Sequence, residues 1–352
     1  MNHFVTKLIL PIVFIGTSLM CSAASPITGE QPTENPPKTK RFDLFNHLDL
    51  GVTLGTTGVG VDFALPVGDM VKVRAGVAYM PPVKVPLHFD IMSYNGSEAV
   101  SEGTFAKAQE LLKTMTGFDI NKEVTVDGKP DMLNFKLLID VYPFKNNKHW
   151  HFTAGVYAGP KRIATAVNSL KDAPTLVGVG MYNSLYDFFN GTDEYGDPLY
   201  MSKPIYGDYY IDPDVGDAMA QKLSGYGRMG VHMGDYKGTG KPFMMVPGND
   251  ATLRAEALVD KFRPYIGFGY GGFIDKAKRF SVSVECGAMF WGGHPKIVTY
   301  NGAKDSAEDA DYPVDLTRDV ENIGGKVGDY VKLIKALKVF PVLDFRISYR
   351  IF

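Results

Sequence analysis

The sequence predicts an all-β chain closed into an antiparallel transmembrane barrel of about eight strands, with short helices carried in long loops. Three observations point there. Eight segments alternate apolar and polar residues with period two, and the connections between them alternate in length. No segment beyond the N-terminus is apolar for long enough to be a transmembrane helix. Composition agrees: among 352 residues are 38 Gly, 19 Tyr and 22 Phe, a mixture suited to strands, turns and amphipathic interfaces. Lys and Arg number 37 against 39 Asp and Glu, for a net charge of −2. That balance leaves no electrostatic footprint for nucleic acid, which is not expected as a partner.

Residues 1–24 read as a signal peptide. Lys7 supplies the charged start, the run from Leu8 to Met20 is apolar but short, and Cys21-Ser22-Ala23-Ala24 offers small residues for cleavage after Ala24, with Ala23 as the alternative. Cys21 as a lipidation site is disfavoured by Leu19 and Met20, which fit poorly where a lipid-attachment motif wants small residues. Residues 25–46, rich in Pro, Thr, Glu and Lys in their first part, have almost nothing to bury and should form a disordered periplasmic leader. After such cleavage Cys286 is the one cysteine left, so no intramolecular disulfide is expected.

From residue 47 to 352 the barrel is expected, strand by strand. Leu48, Leu50, Val52 and Leu54 oppose Asp49 and Thr53; Val61, Phe63 and Leu65 oppose Asp62; Val73, Ala75, Val77 and Tyr79 oppose Lys72 and Arg74. Next, Phe135, Leu137 and Ile139 oppose Lys136 and Asp140, and Phe152, Ala154 and Val156 oppose His151 and Thr153. Ile266, Phe268 and Tyr270 oppose Arg263 and Tyr265, while Val282, Val284 and Cys286 oppose Ser283 and Glu285. The last segment is the clearest: Leu343, Phe345, Ile347 and Tyr349 against Asp344, Arg346, Ser348 and Arg350. Period two gives each strand one apolar and one polar face.

Short polar turns near 66–69, 145–148 and 275–278 alternate with a tight turn at Thr56-Thr57-Gly58 and long insertions near 92–131, 171–250 and 302–336. Short turns on one rim and long loops on the other is the arrangement of membrane barrels, and an even strand number puts both termini on the periplasmic side. Within the insertions, residues 101–116 and 320–337 have helical spacing. Tyr182, Tyr186, Phe188, Phe189, Tyr195, Tyr200, Tyr206, Tyr209 and Tyr210 give the middle insertion an aromatic character. Two roles are open for them: a recognition surface for an extracellular ligand or partner, or packing of the loop onto itself.

Inside the barrel the expected charges are Asp49, Asp62, Asp140, Glu285 and Asp344 against Lys72, Arg74, Lys136, Arg263, Arg346 and Arg350. Five acids and six bases in an interior wide enough only for side chains predict an ion-pair network that plugs the lumen. Gly51, Gly76, Gly155, Gly267, Gly269 and Gly287 leave room for it.

The segments GVTLGTTGVGVDFALPV (51–67), VRAGVAYMP (73–81), FKLLIDVYPFK (135–145), HFTAGVYAG (151–159), RPYIGFGYGG (263–272) and FPVLDFRISYRIF (340–352) resemble small outer-membrane β-barrel proteins of the Bacteroidota, akin to OmpA- and OmpW-like barrel domains. The resemblance covers the strands and leaves the long loops unmatched. It implies residence in the outer membrane, contact with its lipid, and recognition by the barrel-assembly machinery through a C-terminal strand ending in an aromatic, here Tyr349 and Phe352. Phe352 lies one residue out of the usual register, since the apolar face of that strand runs through odd positions.

No catalytic, cofactor or metal site is expected. A lipid-modifying barrel enzyme needs Ser and His converging at one rim, whereas His88 and His294 are predicted at the opposite end of the barrel from Ser281 and Ser283. Asp212-x-Asp214-x-Gly216-Asp217 lacks the distal Glu of a calcium loop. Residues 267–272 mimic a dinucleotide loop but lead into another strand, not a helix. The expected role is structural or in surface interaction, with a small-solute or hydrophobic-molecule channel as the first rival and a lipid-modifying enzyme as the second.

Overall fold

The computed structural model describes residues 47–351 except 97, 118, 249 and 301–312. The expected signal peptide, periplasmic leader and terminal Phe352 lie outside the described residues. Eight strands close into one antiparallel barrel: β1 (Asp49–Gly55), β2 (Gly58–Pro66), β3 (Val71–Met80), β7 (Met132–Val141), β8 (Trp150–Ala158), β13 (Phe262–Phe273), β14 (Phe280–Phe290) and β18 (Val339–Arg350). Going round the wall the order is β1-β18-β14-β13-β8-β7-β3-β2, and all eight coincide with segments read from period two. The barrel has no unpaired edge, since β1 pairs with β2 on one side and with β18 on the other.

Alternation decides which way each strand faces. Along β7 the even-numbered Met132, Asn134, Lys136, Leu138 and Asp140 are buried, and the odd-numbered residues are exposed. Around the whole wall the outward positions carry no Asp, Glu, Lys or Arg. Aromatic rings gather at both ends of this belt, with Trp150, Tyr270, Phe280 and Tyr349 at the end of the short turns, and Tyr79, Phe135, Phe262 and Phe290 at the other.

The insertions differ from the expected loops. They begin at the rim, near residues 81, 159 and 291, and five barrel strands continue through it. After residues 81–84, β3 leads into β4 (Val85–Asn95). β6 (Glu123–Pro130) runs into β7 across Asp131, and β8 leads into β9 (Arg162–Asn168). β12 (Arg254–Leu258) runs into β13, and β14 leads into β15 (Lys296–Tyr300). Above the rim these extensions stand in the order β4-β6-β9-β12-β15, the same as β3-β7-β8-β13-β14 below. The barrel wall thus opens into a sheet over five strands, while the β1–β2 hairpin stops at its two-residue turn, where Gly58 takes φ +96.

Further strands extend the upper sheet: β10 (Arg228–Tyr236) and β11 (Pro242–Met245) beyond β4, and β16 (Pro313–Asp315) beyond β15. The two-residue β5 (Glu98–Ala99) pairs with β4, and β17 (Val320–Glu321) with β10. Helices α1 (Glu102–Thr116), α2 (Ala173–Asn190), α3 (Leu199–Ser202), α4 (Pro213–Tyr226) and α5 (Gly325–Ala336) join this sheet in one hydrophobic core. That core includes Phe89, Val124 and Val126, with Tyr182 and Leu223 from the helices and Met229, Val231 and Met233 from β10. Along β6 and β7 the buried positions keep even parity from Val124 to Asp140. The core therefore covers the face of the wall that encloses the lumen lower down.

Helix α1 matches its expectation, capped by the Ser101 hydroxyl accepting from Thr104 N–H. α5 is shorter than the 320–337 pattern because residues 320–321 pair as β17. Asp212, considered for calcium, instead caps α4 by accepting from the Asp214 and Val215 N–H groups. The aromatic insertion divides: Tyr182, Phe189 and Tyr200 are buried in the core, whereas Tyr195, Tyr206, Tyr209 and Tyr210 are exposed.

One surface contact fixes α5 to the sheet. Lys326 Nζ lies 2.9 Å from Glu123 Oε1 and 3.3 Å from Asp90 Oδ1. The hydrogen bond from Lys326 holds the Glu123 carboxyl below its ordinary 4.5, and Glu123 holds Lys326 above 10.5. A lowered carboxyl value means that the contact's stabilisation is whole above pH 4.5 and is lost as pH falls through the folded value. Amide exchange in α5, corrected for intrinsic rate, is expected to rise about two- to threefold between about pH 5 and about pH 3. Glu123→Gln should flatten most of that step, and an unchanged step would assign it elsewhere.

Candidate functional site

The barrel interior collects most of the charged side chains that the fold buries. An eight-stranded barrel leaves an interior that side chains can fill, and here neighbours occupy the room that glycines leave. A Cβ on Gly51 would lie 2.5 Å from the Arg346 guanidinium, and one on Gly269 would lie 2.4 Å from the His151 ring. The Tyr265 hydroxyl fills the corresponding space at both Gly267 and Gly287.

Nine of the eleven anticipated charges meet in three groups. At the end of the short turns, Asp49 lies 3.2 Å from Lys72 Nζ and 3.5 Å from Arg350 Nε. In the second group Asp62 takes Lys136 Nζ on one oxygen and Arg346 Nη2 on the other, each at 2.7 Å. Lys136 also donates to Thr53, at 3.2 Å. In the third, Arg74 binds Asp140 through Nε at 2.7 Å and Nη2 at 2.8 Å, and its Nη2 also reaches Glu285. Thr153 donates to Asp140 at 2.8 Å and Tyr265 to Glu285 at 2.7 Å, so these carboxylates have hydrogen bonds besides the ion pair.

Arg263 and Asp344 depart from the expected network. Both are buried, yet among the described residues neither has an oppositely charged partner within 4.0 Å. Arg263 donates to the backbone carbonyls of Asp260 and Pro160 and to the Asn134 side-chain oxygen. Asp344 accepts from the Thr57 hydroxyl at 3.1 Å. Carbonyl oxygens at a strand break can serve a guanidinium as well as a carboxylate does, and alternation alone does not reveal them. His151 and Tyr265, on the inward faces read from period two, and Thr57 and Asn134 are lumen partners that a list of charges leaves out. Their inward parity was the available signal.

Toward the opposite rim the interior turns apolar: Leu138, Tyr157, Tyr265, Met289, Trp291 and Val342 form a second buried cluster. Trp291 stacks on Phe340 at 5.3 Å between ring centroids.

Asp140, His151 and Glu285 place three potential ligand atoms within 4.8 Å of one another. The Arg74 guanidinium bridges the two carboxylates, so a fixed cation already occupies the place between them and offsets one of the two negative charges that would draw a metal. His88 and His294, the histidines weighed for catalysis, lie beyond the barrel strands, away from Ser281 and Ser283 on β14. His88 is on β4 of the upper sheet, against Thr125 and Glu123, and His149 bonds the Gly271 carbonyl. Ser281 bonds Ser348, at 2.6 Å. The expected place of His88 on a barrel strand is corrected accordingly. Tyr349 points outward and packs on Phe280, with centroids 5.0 Å apart.

No family model matches the chain, and no curated protein matches it. Among solved structures it is similar to two crystal structures from Acinetobacter baumannii, CarO2 and CarO. CarO2 is 12% identical with a TM-score of 0.37, and CarO is 12% identical with a TM-score of 0.34. Each comparison covers 88% of this chain and 99% of the other.

Proposed function

We propose that this chain is an integral outer-membrane barrel of the small OmpA- and OmpW-like kind, with a structural or surface-interaction role. In this reading the barrel anchors the upper sheet and its helices outside the cell, both termini face the periplasm, and no catalytic cycle is involved. One observation carries it. A closed barrel whose outward positions hold no charged side chain on any of eight strands has a surface made for hydrocarbon, not water. The aromatic rings at both ends of that belt suit the two interfaces. The buried ion pairs, closed over by the apolar cluster, support a plugged lumen.

Lipid surrounds the belt, and the strand that ends beyond Tyr349 is the contact offered to the assembly machinery. The exposed Tyr206 and Tyr209, on a tight turn within the middle insertion, are the rings best placed for an extracellular partner.

The test is electrical and electrophoretic together. The purified protein should migrate as a compact species before heating and as an extended one after it. In planar bilayers it should give no stable open level. A reproducible conductance from the heat-modifiable form would replace the plugged lumen with the channel reading, and absence of heat modifiability would remove the membrane barrel itself.

A further inference from the structure

The chain passes through the upper rim six times, and at each passage a lysine lies in or beside the junction: Lys84, Lys129, Lys161, Lys261, Lys296 and Lys338. The one connection at this rim without a lysine is the tight β1–β2 turn. Lys129 is half-buried and the other five are exposed. Arg162 adds a seventh base. Acids at this level are Asp127, Glu256, Asp131 and Asp260. Asp127 lies 3.7 Å from Lys84 and Glu256 lies 3.4 Å from Arg162. Among the described residues the lysines other than Lys84 have no carboxylate within 4.0 Å.

Pairing places three of these lysines on neighbouring strands at the rim. The Lys161 carbonyl accepts from Val259 N–H at 2.8 Å, the Lys261 carbonyl accepts from Gly159 N–H at 3.0 Å, and Lys296 pairs with Leu258. They thus stand on three successive strands of the wall, Lys161 opposite Val259 and Lys296 opposite Leu258, with Lys261 two to three residues further along the strand between them. Directly below are the outward rings of Phe262, Phe290 and Phe135. A hydrocarbon-facing belt, then aromatic rings, then unpaired ammonium groups is the order in which a lipid presents chains, interface and charged headgroup.

We propose that this collar, centred on Lys161, Lys261 and Lys296, docks the phosphate groups of membrane lipid headgroups in the leaflet at the upper rim. The inference rests on the membrane-spanning reading above. Neighbouring ammonium groups can share the oxygens of a single phosphate, and their stems can lie along the aromatic rings while the charges reach the headgroup plane. The short turns at the other rim are also basic, through Lys145, Lys148, Lys276, Lys278 and Arg279. They sit on separate turns, which makes them the natural control.

The experiment uses the full chain in nanodiscs of phosphatidylcholine containing a trace of bisphosphorylated lipid A, with bound lipid counted by native mass spectrometry. The wild type should retain lipid A in preference to phosphatidylcholine. K161Q/K261Q/K296Q should lose affinity about fivefold per lysine, roughly a hundredfold in all, while K145Q/K276Q/K278Q stays within about threefold of wild type. Millimolar inorganic phosphate should not displace the lipid. Equal retention by the collar variant, equal retention of the neutral lipid, or displacement by free phosphate overturns the proposal. Heat-modifiable migration is read on every sample. A protein that lacks it fails the barrel reading and the collar with it, whereas one that keeps it without lipid preference fails the collar alone. If the triple variant does not fold, single Lys261→Gln is read on the same scale.

Discussion

Arg74→Met is expected to destabilise the barrel by about 3–5 kcal/mol, because it leaves the buried Asp140 and Glu285 carboxylates without their shared cation. Met keeps most of the stem, so the loss is one of charge more than volume. The remaining donors, Thr153 to Asp140 and Tyr265 to Glu285, are neutral and cannot balance two negative charges. The measurement is the urea midpoint of the heat-modifiable form in detergent micelles. Adding Asp140→Asn and Glu285→Gln to Arg74→Met should recover more than half of the loss, since a neutral trio has no uncompensated charge to bury. The comparison also decides whether the interior is dry. A cost of less than about 1 kcal/mol for Arg74→Met would mean that water reaches both carboxylates, and the plugged lumen would fall with the ion-pair argument.

The same contrast between charge and hydrocarbon explains what could be read from the sequence. All eight barrel strands were legible because each sets a charged or small inward residue against an apolar outward one, as Arg74 stands against Val73 and Ala75. The upper sheet was not, because its alternation is shallower. Ile163 to Asn168 on β9 are half-buried on both faces, so no two-sided pattern marks them as a strand. The passage through the rim hides continuity as well. Pro130 pairs with Ala164 but Phe135 with Ala158, a slip of one residue near Pro160 that moves the buried parity from one face to the other. Prolines at 81, 82, 130, 160 and 295 interrupt the strand signal at the same level. β4 was within reach, since Leu87, Phe89 and Ile91 alternate with His88 and Asp90, but nothing in that alternation separates a strand above the rim from the end of a barrel strand, where His88 was expected. In the lumen the charges were legible by parity, and their partners were not. Whether Arg263 meets a carboxylate or two backbone carbonyls depends on where the chain bends at Pro160 and Asp260.

Phe268→Arg is the substitution whose sign depends most on what surrounds the barrel. Phe268 lies at the middle of β13, outward and half exposed, paired with Phe152 on one side and Cys286 on the other. On a water-soluble barrel, an arginine there would replace an exposed ring and change stability by no more than about 0.5 kcal/mol. In a bilayer the same arginine sits near mid-depth and should cost about 2–4 kcal/mol. Tyr206→Arg, on an exposed turn of the middle insertion, should be neutral in either setting and controls for expression. Cys286 reports the outcome without an added label, as the one cysteine among the described residues, facing outward beside Phe268. In vesicles a membrane-impermeant maleimide should leave it unmodified in the wild type and modify it in the fraction of Phe268→Arg that fails to insert. Rapid modification of folded wild type would place that face in water, whatever its apolarity.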